Sequence, residues 1–342
     1  MKQQISHSLT DLDGYILFNQ DCLKTSKRLP DSSIDLIYVD PPFFSDRVYE
    51  YNGHYYEDTW VNIHEYLDWL KPRFMQFHRI LKNTGTIYIH CDWHAVHYLK
   101  IQTDEVFNRK NFLNEIIWKR QSCHNNAGQG SRHLGRIHDT ILVYTKSSDY
   151  TWNQQYTNYE DSYVKNAYKF VEPETKRKYA LGDLTAPGGA VKGNARYEFL
   201  GVERYWRYSK ANMLKLFISG KIHSKKGRVP LLKRYLDEMK GRPVQDLWTD
   251  IKPVSSRKMQ YPTQKPTALL KRIISTSSNR NQVVYDPFSG SGTCGVVSNK
   301  LSRNWIGSEI SSDACDIIRS RLKDLGCSIK DFGTSYSPNP EK

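Results

Sequence analysis

One stretch toward the C-terminal end constrains the fold more than any other. Val283-Val284-Tyr285-Asp286-Pro287-Phe288-Ser289-Gly290-Ser291-Gly292-Thr293-Cys294-Gly295 runs from an apolar strand through closely spaced glycines into a helix start. Glycine permits a tight turn and a close backbone approach to a ligand, and the following helix N-terminus offers unpaired N–H groups to an anion. A strand, glycine turn and helix in this order belong to a parallel α/β sheet. The spacing Gly290-x-Gly292-x-x-Gly295 is literally the dinucleotide fingerprint, and Glu309 ends a strand about 20 residues later, where a ribose-binding carboxylate is expected. A plain tight turn is the structural alternative. The loop alone does not separate NAD from S-adenosylmethionine. Asp286 favours the second, because a carboxylate repels a pyrophosphate but binds an ammonium group.

The flanking sequence agrees with such a sheet. Tyr15 to Phe18 and Ile34 to Val39 read as strands, the second stopped by Asp40-Pro41-Pro42 because two prolines cannot continue a ladder. Phe44 to Trp60 is aromatic, polar and aperiodic, hence a loop. Ile63 to Lys82 has helical spacing, with Leu67, Leu70, Phe74, Phe77 and Leu81 on one face. Gly85 ends it, and Thr86 to His90 forms the next strand. His94 to Phe107 reads as a helix, Glu115 to Lys119 and Thr140 to Tyr144 as strands. After Pro262 come a helix through Ile274, the strand Val283 to Tyr285, the helix Thr293 to Leu301, the strand Trp305 to Glu309 and the helix Ala314 to Leu325, with a frayed tail from Gly333. Strands and helices alternate at both ends but not in the middle, which predicts a doubly wound α/β sheet carrying an inserted module.

Asp40-Pro41-Pro42-Phe43 at a strand end could be only a chain reversal. It also suits a particular chemistry. The exocyclic amino groups of adenine and cytosine share their lone pair with the ring and are poor nucleophiles. Two acceptors, the Asp40 carboxylate and the Pro41 carbonyl, can bind the two N–H groups and aim the lone pair at a methyl sulfonium. The fixed φ of proline keeps that carbonyl in place, and Phe43 supplies a face on which a base stacks. A base inside a duplex must be flipped out to reach such a site. The chemistry needs no metal and no proline-cysteine nucleophile.

Charge points to a polyanion. Of the net charge of +14, the segment 165–242 carries 19 Lys and Arg against 7 Asp and Glu, a surplus of 12. Tyr197, Phe199, Tyr205, Trp206, Tyr208 and Tyr235 lie among these cations, a pattern that suits phosphates and stacked bases. A solvated face over core aromatics is the alternative. With 12 Phe, 23 Tyr and 8 Trp the chain can build a core. No stretch reaches the roughly 18 apolar residues needed to span a bilayer, and Met1 to Ser6 is followed by no signal core. The six cysteines, Cys22, Cys91, Cys123, Cys294, Cys315 and Cys327, form no CxxC pair and suit a reduced cytoplasm. Cys123, His124, His133 and His138 match no zinc spacing, and Cys91 and Cys294 read as buried small residues.

With the catalytic turn first, the basic region in the middle and the glycine loop last, residues 14 to 325 resemble the β group of DNA amino-methyltransferases, adenine-N6 or cytosine-N4. The chain is most similar to site-specific adenine methyltransferases related to the modification subunits of type III restriction systems. The resemblance implies a Rossmann-like S-adenosylmethionine-dependent methyltransferase sheet in permuted order: a catalytic half over 1–120, a target-recognition insertion over 121–255 that begins with a core strand, a cofactor half over 256–330 and a tail over 331–342. It implies Asp40, Pro41, Pro42 and Phe43 as the catalytic tetrapeptide, with Phe where the family usually has Tyr. In Asn19-Gln20-Asp21-Cys22 it implies Asp21 and Cys22 at the cofactor adenine, and in Tyr261-Pro262-Thr263-Gln264-Lys265-Pro266 it implies Gln264 and Lys265 near the methionine moiety. Asp286, Phe288, Gly290, Ser291, Gly292 and Thr293 complete the cofactor loop, with Glu309 at the ribose. His138-Asp139 also fits the pattern and reads as a satisfied polar pair at a strand start.

Asp rather than Ser at position 40 favours adenine, because cytosine-N4 enzymes of the group mostly carry Ser there. The reading is therefore methyl transfer from S-adenosylmethionine to N6 of a flipped adenine in double-stranded DNA, in a restriction-modification or epigenetic setting, with Arg204, Arg207, Lys225, Lys226 and Arg228 on the DNA. A restriction endonuclease subunit and a homodimer are compatible partners, no membrane is involved, and the setting is the cytoplasm, at the nucleoid through DNA. The competing readings are a cytosine-N4 enzyme, a non-catalytic DNA-binding protein on the same fold, and a nicotinamide-dependent oxidoreductase, which would explain the loop but neither the turn nor the charge.

Overall fold

The computed structural model describes residues 11–51, 54–121, 130, 132–255 and 264–333. Two compact units divide the chain, one of Met1–Gln155 with Gln245–Lys342, the other of Tyr156–Val244. In chain order the first unit has β1 (Tyr15–Asn19), α1 (Cys22–Arg28), β2 (Ile34–Val39), β3 (Arg47–Tyr51), β4 (His54–Asp58), α2 (Ile63–Ile80), β5 (Leu81–Cys91), α3 (Val96–Phe107), β6 (Phe112–Lys119) and β7 (His138–Thr145). The second unit holds β8 (Tyr156–Thr157), α4 (Asp161–Ala167), β9 (Phe170–Val171), β10 (Lys178–Asp183), β11 (Arg196–Phe199), β12 (Val202–Tyr205), α5 (Lys210–Ile218), β13 (Ile222–His223), β14 (Leu231–Tyr235) and β15 (Arg242–Pro243). The first unit then resumes with β16 (Leu247–Trp248), α6 (Thr267–Ser277), β17 (Val283–Asp286), α7 (Thr293–Lys300), β18 (Asn304–Ser308), α8 (Ser312–Lys323) and β19 (Ile329–Gly333).

The large sheet has the order β16-β6-β7-β5-β2-β17-β18-β1-β19. β7 runs antiparallel to β5 and β6, and the other neighbours pair in parallel. Every residue of β2 is buried, as a central strand covered on both faces requires. α2 buries Tyr66, Leu70, Phe74, Phe77 and Ile80, spaced at three and four residues, so one stripe faces the sheet. From β2 the chain crosses by α2 to β5 on one side, and from β17 it crosses by α7 to β18 on the other. The strand order therefore reverses between β2 and β17, and in open α/β sheets ligands bind beyond the strand ends at that point.

Three expectations need correction. The segment from Phe44 to Trp60 is not a plain loop, because β3 and β4 pair as an antiparallel hairpin from Arg47↔Asp58 to Tyr51↔His54. The boundary set at 331 cuts through a strand, β19, paired with β1 from Tyr15↔Ile329 to Asn19↔Gly333, with Phe332 stacked on Phe18 at 5.0 Å, and the rest of the tail lies outside the described residues. The compact second unit is also narrower than 121–255: it starts at Tyr156, after the core strand expected near 140–145, and ends at Val244, before β16 pairs into the large sheet. Cys123, His124 and residues 261–263 lie outside the described residues.

The second unit has its own core of Leu184, Phe199, Trp206, Met213, Ile222 and Leu232. Phe199, Trp206 and Tyr235 are buried, so these three rings, read from the sequence as free to stack on bases, instead fill interior space. Arg204, Arg207, Lys225, Lys226 and Arg228 are exposed in this unit. Several other cations there are neutralised locally: Arg177 by Asp237 and Glu238, Lys221 by Glu238, Lys233 by Glu172. Among the described residues, no acid pairs with Lys225, Lys226 or Arg228.

Candidate active site

The register Leu36↔Val284 and Ile37↔Tyr285 brings the ends of β2 and β17 side by side. Asp40 and Asp286 therefore emerge at one edge of the sheet, although far apart in the chain. Between them opens a cavity of about 620 Å³. It is lined by all the residues expected at the catalytic turn and the cofactor, except Gly292. Gly292 serves the turn itself: its φ is +71°, and a Cβ there would lie 2.8 Å from Ile318 of α8. Gly295 likewise makes room for Trp305. Gly290 is the fingerprint glycine that faces the cavity.

At the catalytic turn, Asp40 Oδ2 accepts from Lys265 Nζ at 2.6 Å in a largely buried ion pair. Asp40 Oδ1 is buried and meets no donor among the described residues. The Lys265 ammonium also lies 5.2 Å from the centre of the Phe43 ring. Lys265, expected near the methionine moiety, is thus committed to the turn. The Pro42 carbonyl accepts from the Tyr66 hydroxyl at 2.5 Å, whereas nothing among the described residues donates to the Pro41 carbonyl.

At the glycine loop, Glu309 Oε2 accepts from the Gly290 N–H at 2.8 Å and Oε1 from the Ser311 N–H at 2.9 Å. Asn19 ties this corner to β1 by donating to the carbonyls of Glu309 and Ile310. Burial raises the Glu309 carboxyl above its usual range despite the two N–H bonds. Asp286 is 3% exposed, and its Oδ1 has no donor among the described residues. Burial, and then the nearby charges of Asp40 and Glu309, push its carboxyl well above the usual range. Three carboxylates and Lys265 thus share one recess.

Asp21 lines the cavity, but its carboxylate caps α1 through the Leu23 N–H at 2.8 Å and pairs with Arg73 at 2.6 Å. Arg73 lies 3.7 Å from the centre of the Trp69 ring, and Trp69 packs against Phe288. The Cys22 thiol is pushed up to about 12, chiefly by burial, and stays protonated.

The sequence reading missed a buried polar chain behind the turn. The Tyr38 hydroxyl lies 2.7 Å from His90 Nδ1, and His90 Nε2 lies 3.3 Å from Asp139 Oδ2. Burial, the largest single influence, raises the Asp139 carboxyl, but the His90 bond and the charges of His90, Arg120 and Lys265 together outweigh it and the net shift is downward. The satisfied polar pair expected at His138-Asp139 is not formed: His138 is exposed, and Asp139 pairs instead with His90 of β5. The available signal was a polar residue inside each of two apolar strands. The hairpin of β3 and β4, and with it Asp58, was missed as well; the signal for the hairpin was the Asn-Gly dipeptide at 52–53, which favours a two-residue turn.

A family model for DNA methylases, of the N6/N4 methyltransferase kind, matches residues 34–320. The chain is 30% identical over 298 residues to the type II methyltransferase M.EcaI of Enterobacter cloacae, covering 84% of this chain and 64% of that one. It is 27% identical over 316 residues to the Mod subunit of the type III restriction-modification enzyme StyLTI of Salmonella typhimurium, covering 80% and 48%. It is 27% identical over 298 residues to the DNA adenine methyltransferase YhdJ of Escherichia coli, covering 87% and 79%. The chain thus spans less than two thirds of the length of the first two relatives. The solved structure of TTHA0409 from Thermus thermophilus, complexed with S-adenosyl-L-methionine, matches with a TM-score of 0.50 at 16% identity over 94% of this chain and 100% of that one, which shows a shared fold. With the family model spanning both strand ends that frame the cavity, the chain belongs to the N6/N4 DNA methylase family.

Proposed function

We propose that this chain transfers a methyl group from S-adenosylmethionine to the N6 amino group of an adenine flipped out of double-stranded DNA. The observation that carries the reading is the Asp40 Oδ1 atom, buried without a donor at the wall of the cavity that Phe43 also lines. A buried acceptor without a partner is costly, and an exocyclic N–H on a stacked ring removes that cost. Lys265 on Oδ2 holds the carboxylate in place and leaves Oδ1 for the base. The Pro41 carbonyl is the second acceptor.

The cofactor fits the other half of the cavity. Asp286, with its orphan Oδ1, would hold the ammonium of the methionine moiety, and Glu309, whose oxygens each have a second lone pair, would accept from the ribose hydroxyls. When bound, S-adenosylmethionine supplies a methyl group on a positively charged sulfur. Asp40 and Pro41 would keep the base amine directed at that methyl; its transfer would leave the sulfur as a neutral thioether, and the proton lost by the amine would pass to solvent, directly or by way of the Asp40 carboxylate. Adenine over cytosine is supported by Asp at position 40 and by the similarity to YhdJ. The second unit is proposed as the target-recognition module, with Arg204, Arg207, Lys225, Lys226 and Arg228 on phosphates. A nuclease subunit is a proposed partner through the StyLTI Mod likeness.

Incubating genomic DNA with methyl-labelled cofactor and separating the nucleosides tests the reading. Label in N6-methyldeoxyadenosine is expected. Label in N4-methyldeoxycytidine would transfer the assignment to the cytosine-N4 reading, and DNA binding without label would leave only a DNA-binding protein.

A further inference from the structure

Asp58, at the end of β4, is 1% exposed and accepts five hydrogen bonds. Its Oδ2 takes the Phe43 N–H at 2.9 Å, the Ser45 N–H at 3.0 Å and the Ser45 hydroxyl at 2.6 Å. Its Oδ1 takes the Phe44 N–H at 3.0 Å and the Trp60 indole N–H at 3.0 Å. Three consecutive backbone N–H groups converge on one carboxylate only where the chain curls into a concave nest. Phe44 has the left-handed φ such a curl needs, +59°, which is uncommon for a bulky residue and persists only where the surroundings impose it.

The curl begins at Phe43, the last residue of the catalytic turn. Its other supports converge on the same point. The Tyr49 hydroxyl of β3 donates to Ser45 Oγ at 3.0 Å, Tyr66 holds the Pro42 carbonyl, and Trp60 packs edge-on against Tyr66 with ring centres 5.1 Å apart. Both strands of the hairpin therefore hold the turn.

We infer that Asp58 is a positioning residue for methyl transfer: it fixes the backbone of Phe43 to Ser45, and through it the base-stacking ring and the Asp40-Pro41 acceptors. The inference rests on the proposed methyl transfer. Removing the carboxylate leaves five donors unpaired and releases the left-handed φ at Phe44, so the ring and the acceptors lose their common alignment. The cofactor residues Asp286 and Glu309 make no bond to Asp58 and keep their places.

The test uses the full chain, labelled S-adenosylmethionine and genomic DNA. Asp58→Asn is expected to lower kcat at least 30-fold per folded molecule while changing KM for S-adenosylmethionine less than threefold. In a Phe43→Ala background the same substitution is expected to cost at least threefold less than in the parent, because the part of its effect that passes through the ring is already lost. Should Asp58→Asn fail to fold, Trp60→Phe and Ser45→Ala each remove one donor and keep the carboxylate, and each is expected to lower kcat three- to tenfold with KM unchanged. A kcat within threefold of the parent in the folded variants, or full additivity with Phe43→Ala, would overturn the inference. An inactive parent chain would instead refute the methyl-transfer reading itself.

Discussion

Substitution of Asp40 by alanine separates catalysis from cofactor binding most sharply. Under the proposed methyl transfer, Asp40 Oδ1 would offer one charge-assisted hydrogen bond to the reacting amine, worth about 1.5–3 kcal/mol. At about 1.36 kcal/mol per decade this is roughly 10- to 150-fold in rate. The same group also orients the lone pair in the transition state, and deleting a preorganised group of that kind costs about 100- to 1000-fold. A fall of at least about a hundredfold is expected. The effect on the cofactor is expected to be small. Asp40 is one of the charges that raise the Asp286 carboxyl. Without it Asp286 ionises more readily, which offsets the loss of one anion near the positively charged sulfur, so the affinity for the cofactor changes little. Single-turnover transfer of labelled methyl gives the rate, and calorimetry gives the affinity. Turnover within tenfold of the parent would remove Asp40 from its role, and a loss of cofactor affinity would refute the electrostatic argument.

Glu309→Ala should weaken S-adenosylmethionine binding by roughly 1.5–3 kcal/mol, measured by calorimetry; unchanged affinity would exclude the ribose contact. Asp286 and Glu309 hold their protons to higher pH in the folded chain than in the unfolded one, where such groups titrate near about 4. Their contribution to stability is fully present below that value and is lost as pH rises through the raised folded values. An ammonium beside Asp286 reverses the effect there, so the rise in Tm on adding S-adenosylmethionine should grow from acid to neutral pH; a pH-independent rise in thermal scans would contradict it. Neutralising Lys225, Lys226 and Arg228 together should flatten the log–log salt slope of DNA binding, about −0.9 per phosphate contact, and weaken all sequences alike. Filter binding across a salt series checks this, and an unaltered slope would move the phosphate contacts elsewhere.

The local elements were legible in the amino-acid sequence because their causes are local. The apolar run Ile34 to Val39 needs no partner to read as a buried strand, two prolines end it, and the glycines at 290 and 292 mark a turn with left-handed φ. Asp40 and Asp286 could be named because each stands at a strand end before proline, and Glu309 because it ends a strand about 20 residues after the first glycine. The reading failed where the pattern was ambiguous. β19, Ile-Lys-Asp-Phe-Gly, has too little apolar alternation to announce itself, and it forms because β1 presents an edge with unpaired N–H and C=O groups. Phe199, Trp206 and Tyr235 could not be sorted into core or surface by type, since an aromatic among cations suits either place.

Side-chain partnership was decided only by the tertiary structure. Lys265 meets Asp40 across 225 positions of chain, and Asp139 meets His90 across 49, because strand order in the sheet brings those chain segments together. Asp58 carries no mark in the sequence of the five donors it collects. An acidic residue at a strand end can be solvated, paired or buried in a nest, and the choice depends on which backbone curls past it. The sequence by itself determined the elements and the chemistry at their ends, since φ limits and apolar periodicity act over a few residues. The tertiary structure decided which charge faces which, because electrostatic and hydrogen-bonding partners are chosen by distance in space.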